Sequence, residues 1–197
     1  MTYYFWKKVG RCAVLAFIMF LITGCAARQV QDSLVGSTAQ KLVTYSVDDL
    51  AAALPEQHFD RWSGKRMRLD SNFLSHPEVQ TYADRRIAVE LARRFDIEVV
   101  DDAVFADATL NIFYTSLGTN RDTKGFFLPL GFIPGMAADM RINILTLEQF
   151  QGIAELYYFV GETGTETRGR VIQARTRSDA VGLPIVTIPI NNIDRVD

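Results

Sequence analysis

Reactive side chains are scarce in this chain of 197 residues. It has two histidines and two cysteines, and both cysteines precede residue 26. The body therefore offers no disulfide framework and no thiol nucleophile. His58 and His76 stand apart, outside any His-Glu-x-x-His arrangement, and fall short of a metal-ligand set. No basic tract is present, and the net charge is −2, which argues against nucleic acid as a partner. No internal repeat is evident, and the uncharged run from Cys12 to Gly24 is too short to span a membrane. As a helix it would reach only ~20 Å, against a hydrocarbon core of ~30 Å. What is there is ordinary for a globular protein: 48% hydrophobic and 22% charged residues.

The beginning of the chain reads as an address. Lys7, Lys8 and Arg11 precede the apolar run, which closes on Ile22-Thr23-Gly24-Cys25. A positive start, a short apolar stretch and small residues after it describe a secretory signal. The final four residues resemble the bacterial lipobox. That resemblance implies cleavage between Gly24 and Cys25, with diacylglycerol and acyl chains such as palmitate carried on the Cys25 thiol. Residues 1–24 would then be the signal peptide. Their removal deletes three of the 21 basic residues and no acidic one, leaving 173 residues with a charge of −5. Ala26 and Ala27 follow the cysteine, and the aspartate typical of inner-membrane retention is missing. By the same resemblance, the destination is the periplasmic face of the outer membrane.

Residues 25–40 read as the lipidated cysteine and a polar tether, and 41–197 as a single α+β periplasmic domain. Ser46-Val47-Asp48-Asp49 has capping-box form and predicts a short helix that Pro55 ends. Lys65–Asp70 alternates like a half-buried strand. The clearest helix starts at Pro77, with Val79, Tyr82, Ala83, Ile87, Leu91 and Phe95 at helical spacing. Its other side carries arginines, with Glu90 four residues from both Arg86 and Arg94, so a solvated, internally paired face is expected. Strands follow at 97–100, 109–117, 141–147, 153–160 and 168–174, with an edge segment at 185–190 containing Pro189. Gly161–Glu166 reads as a hairpin loop. The fold class expected is α+β, a mostly antiparallel sheet with one principal amphipathic helix packed on one face.

The chemistry-bearing candidates are few. The loop 118–125 places Lys124 before a glycine but has no following helix, so it reads as a polar connection rather than a phosphate cradle. Asp101, Asp102 and Asp107 lack calcium-loop spacing and suit the turn into a strand. No catalytic residue, metal ligand or cofactor is nominated. One segment stands out: Phe126–Met136 is uncharged and punctuated by Pro129, Gly131, Pro134 and Gly135. It is read either as an irregular loop whose aromatics cap the core or as an exposed contact for a partner or membrane. Phe126, Phe127, Phe132 and Ile133 are the contact candidates.

Met67-Arg68-Leu69-Asp70, the helix from Pro77 and Ala106-Asp107-Ala108-Thr109-Leu110 resemble uncharacterised periplasmic lipoproteins. More distantly, this order of strand, helix and Ala-Asp strand entry is similar to the soluble part of the curli-secretion lipoprotein. The similarity lends no site residues, and the sequence lacks a pair of amphipathic membrane-spanning hairpins. The expected function is thus a non-enzymatic, outer-membrane-anchored lipoprotein that binds or scaffolds an envelope component, by partner protein or self-association. A small-ligand or lipid-binding module is the second reading, and a hydrolase with a spatially assembled site the third.

Overall fold

The computed structural model describes residues 28–31, 36–137 and 140–191. The signal, the cleavage pair Gly24 and Cys25, and most of the tether lie outside them. The elements in chain order are β1 (Arg28–Gln31), α1 (Ser37–Ala52), α2 (Glu56–Phe59), β2 (Arg66–Asn72), α3 (Pro77–Phe95), β3 (Glu98–Val100), β4 (Ala108–Pro129), β5 (Arg141–Gly161), β6 (Thr167–Arg168), β7 (Ile172–Gly182) and β8 (Thr187–Pro189). Two single 3-10 turns, Asp60–Trp62 and Ala103–Phe105, complete them.

The architecture is α+β, but the sheet is mixed rather than mostly antiparallel. Strands pair in the order β3-β2-β4-β5-β7-β8, with β1 beside β4 and β6 beside β5. β2 is parallel to both neighbours, Met67 lying opposite Val99 on one side and Ala108 on the other. The chain leaves β2 through α3 and returns as β3, the crossover that parallel strands require. β6 and β8 pair antiparallel with β5 and β7.

Nor is there one principal helix. α1 starts at Ser37, so the expected tether ends in helix before residue 40. Ser46 does not cap it. The side chain lies buried in the middle of α1 and donates to the Leu42 carbonyl at 2.7 Å. Leu42, Val43, Val47 and Leu50 supply the helical stripe that buries this element. α3 starts at Pro77 as expected, but its charged side is not simply solvated and internally paired: Glu90 is buried beside Arg93 and Arg94, and Arg86 pairs with Asp48 of α1.

Two compact units divide the described residues. The larger holds residues 31, 36–121 and 150–178, and the smaller 28–30, 122–137, 140–149 and 179–191. β4, β5 and β7 contribute residues to both. The hydrophobic core belongs to the larger unit. Val47 and Leu50 of α1, Ile87 and Leu91 of α3, Met67 of β2, Leu110 and Ile112 of β4, and Leu156 and Tyr158 of β5 are all buried in it. Gly152 lets β5 come so close to α1 that a Cβ there would overlap the Leu42 carbonyl.

β4 is one long strand where the sequence suggested a strand over 109–117 followed by a loop, and β5 is one where it suggested two strands, 141–147 and 153–160. Thr119 and Thr123 are buried within the expected polar connection, while Gly118 and Asn120 between and beside them are half-buried. Period-two burial thus carries the strand through residues whose composition suggested a turn.

Candidate functional site

Among the described residues, the helices of the larger unit pack on one face of its sheet. In β4, Leu110, Ile112 and Tyr114 point into the core, so Asn111, Phe113 and Thr115 lie on the opposite face. In β5, Leu156, Tyr158 and Val160 point inward and Glu155, Tyr157 and Phe159 outward. There the Phe113 and Tyr157 rings stack with centroids 5.1 Å apart and planes 9° from parallel. Phe159 meets both edge to face, at 6.0 and 6.2 Å. The Arg168 guanidinium lies 5.4 Å over Tyr157, a cation–π contact. Thr115 Oγ1 donates to Glu155 Oε1 at 2.7 Å, holding a carboxylate beside the rings.

A cleft of about 490 Å³ adjoins this stack, lined by Asn72, Phe73, Leu74, Phe113, Tyr114, Thr115 and Tyr157. Leu74 follows the end of β2 and is fully exposed. A face built of partly buried aromatics, one guanidinium and one fully solvated leucine is suited to recognition by stacking and apolar contact.

Behind the sheet, Asp84 of α3 accepts hydrogen bonds from Tyr114 Oη at 2.8 Å and Ser71 Oγ at 2.6 Å. Gln80 Nε2 donates to Ser71 Oγ at 2.9 Å. Burial pushes the Asp84 carboxyl above its ordinary range, and the two hydroxyl donors only partly offset this. The Tyr114 hydroxyl is pushed up strongly, by burial first and then by the Asp84 charge. This network fastens α3 to β2 and β4.

His58 of α2 places Nδ1 2.7 Å from the Tyr158 hydroxyl, whose pKa burial raises to about 12. Gly169 lies against the Tyr158 ring, where a Cβ would collide with it. His76 occupies the exposed N-terminal cap of α3 with φ 53°. Asp107 accepts from the Arg66 amide at 2.9 Å, the contact that chiefly lowers its pKa, and so fastens the entry of β4 to β2. Among the described residues, no group of three or more His, Cys, Asp or Glu could hold a metal ion.

Of the contact candidates, Phe126 and Phe132 are exposed, and Phe127 and Ile133 are half-buried. None is folded into a core. Phe126 and Phe127 belong to β4, while Phe132 and Ile133 lie in the turns that follow, so the segment is half strand. The Arg141 guanidinium sits 5.0 Å over the Phe127 ring. These residues belong to the smaller unit and the Phe113–Tyr157 stack to the larger. Sequence reasoning did not single out that stack. Its signal was Leu156-Tyr157-Tyr158-Phe159, which is apolar in both alternating registers and reads equally as a strand buried on both faces.

No protein-family model matches the chain, and no curated protein matches its sequence.

Proposed function

We propose that this is an outer-membrane lipoprotein, acylated at Cys25, whose larger unit binds another envelope component without catalysis. The observation that carries the reading is the helix-free sheet face, where Phe113, Tyr157 and Phe159 cluster beside a cleft. Aromatic side chains are enriched at the centres of interfaces because they bury much area at little entropic cost. The lipobox supplies the address, since several acyl chains hold a protein durably where one binds marginally, at ~0.8 kcal/mol per buried CH₂. The test is crosslinking and gentle detergent extraction of the acylated protein, followed by native mass measurement. F113A combined with Y157A should abolish recovery of the complex while the melting temperature stays near that of the parent, because both rings lie outside the core. Undiminished recovery by a folded double variant would overturn the reading.

A second reading, a small-ligand or lipid-binding module, is favoured by the cleft between Phe73, Leu74 and Tyr157. It predicts an additional small mass on a monomeric protein, displaced by a bulky side chain at Thr115.

A further inference from the structure

The smaller unit has the burial pattern of a soluble domain turned round. Its buried positions include Thr123, Thr146, Glu148 and Gln149, of which Thr146 and Glu148 are only 2% exposed. Thr146 donates to the Gly182 carbonyl and Asn143 donates to Glu148, so both of the most buried polar side chains are hydrogen-bonded within the unit. Its large apolar side chains face outward instead. Phe126 is 62% exposed, Phe132 73% and Ile185 97%, and Leu128, Ile144 and Ile188 are exposed with them. In water such a pattern costs free energy at every outward side chain, whereas an apolar surrounding reverses the sign.

We propose that the smaller unit is a membrane-contact site, entering the headgroup–acyl boundary of a lipid bilayer through residues 126–132 and 142–145 and through the segment 185–190. Three observations favour lipid over a protein partner or a second copy. Four amides of the turns beyond β4 are paired within the segment: Leu130 donates to Met140, Ile133 to Leu130, Met136 to Ile133, and Met140 to Ala137. Pro129 and Pro134 have no amide hydrogen to desolvate. Each amide paired in this way lowers the cost of entering an apolar medium. Charge is arranged to match. Between Lys124 and Arg141 the sequence has Asp139 as its one charge, and the two cations bracket the apolar segment as residues that reach lipid phosphates do. Finally, an acyl chain on Cys25 would keep a bilayer at hand. The inference rests on the lipoprotein reading for that nearness alone.

The test uses the full-length chain with a nitroxide on a cysteine replacing Phe132 or Ile185, and on a control cysteine replacing the exposed Gln173 of β7. Each is prepared both acylated and in a C25A background that also carries C12A, so that the label has one thiol, and mixed with vesicles of phosphatidylethanolamine and phosphatidylglycerol. Labels at 132 and 185 should become several-fold more accessible to oxygen than to a water-soluble nickel chelate, while the label at 173 stays open to nickel. Equal nickel access at all three positions would overturn the proposal. Exclusion of both reagents at 132, with a doubled native mass, would overturn it in favour of a second copy. Intact mass shows separately whether Cys25 carries lipid. Loss of acylation therefore sinks the address, whereas the C25A labels still report the contact. Phe132 and Ile185 are exposed, so an unchanged melting temperature separates lost contact from lost folding.

Discussion

At two glycines an added Cβ would collide with a packed neighbour. At Gly152 the obstacle to a Cβ is backbone, the Leu42 carbonyl, so β5 and α1 would have to separate. At Gly169 it is the Tyr158 ring, which is buried and hydrogen-bonded to His58. G152A should therefore destabilise the larger unit by about 3 kcal/mol and G169A by about 2 kcal/mol, at the upper part of the usual cost of overpacking. Denaturant midpoints measure both. Asp84 makes a prediction about pH. Its folded-state pKa is raised, so the native state holds the proton more tightly than the unfolded chain does. Its contribution is fully present below the ordinary carboxylate range and is lost as pH rises through the raised value. D84N removes this dependence. The stability of the parent relative to D84N should fall as pH rises from the ordinary carboxylate range through the raised value, and a rise would contradict the assigned cause.

Among the elements, α3 shows how much local chemistry fixes by itself. Pro77 opens it, Ala83, Ile87 and Leu91 bury one stripe, and Arg93 and Arg94 stand in its last turn. Asp96, which caps its C-terminal end, adopts a left-handed conformation, φ 55°, with its amide donating to the Leu91 carbonyl. Glycine is the usual occupant of that position, and a carboxylate there opposes the helix dipole. D96G is thus expected to raise stability by roughly 0.5–1 kcal/mol, measured by thermal melting. α1 was less legible. Ser37 and Thr38 read as tether because their propensity is weak, and Ser46 read as a cap although the apolar spacing of Leu42, Val43 and Val47 begins before it. The polar composition of 118–125 similarly concealed a continuous strand. Composition marks a turn only when neighbouring strands do not hold the segment extended.

For the whole molecule, the address and the two surfaces are separable claims. C25A should abolish acylation and release the protein from membrane fractions, and unchanged lipid labelling would refute the address. The aromatic face of the larger unit and the apolar exterior of the smaller carry different variants, so loss of partner and loss of lipid contact can be scored apart. The sequence nominates Phe126, Phe127, Phe132 and Ile133 as contact candidates because an uncharged segment broken by prolines fits neither a helix nor a central strand. It missed Phe113 and Tyr157, 44 residues apart in the chain, because only pairing of β4 with β5 stacks them.

By itself the sequence determined the features that one element can express: the α+β class, the α3 helix, the connection after Gly161, and an edge placement for the Pro189 segment, which closes the pairing order as β8. Periodicity and turn chemistry operate within a few residues and need no partner. The tertiary structure decided the parallel pairing of β2 with β3 and β4, the sheet face that helices leave uncovered, and the inversion of polar and apolar positions in the smaller unit. Each depends on which distant segment lies opposite. An alternating strand states that its two faces differ, but burial is a property of the neighbours that cover them.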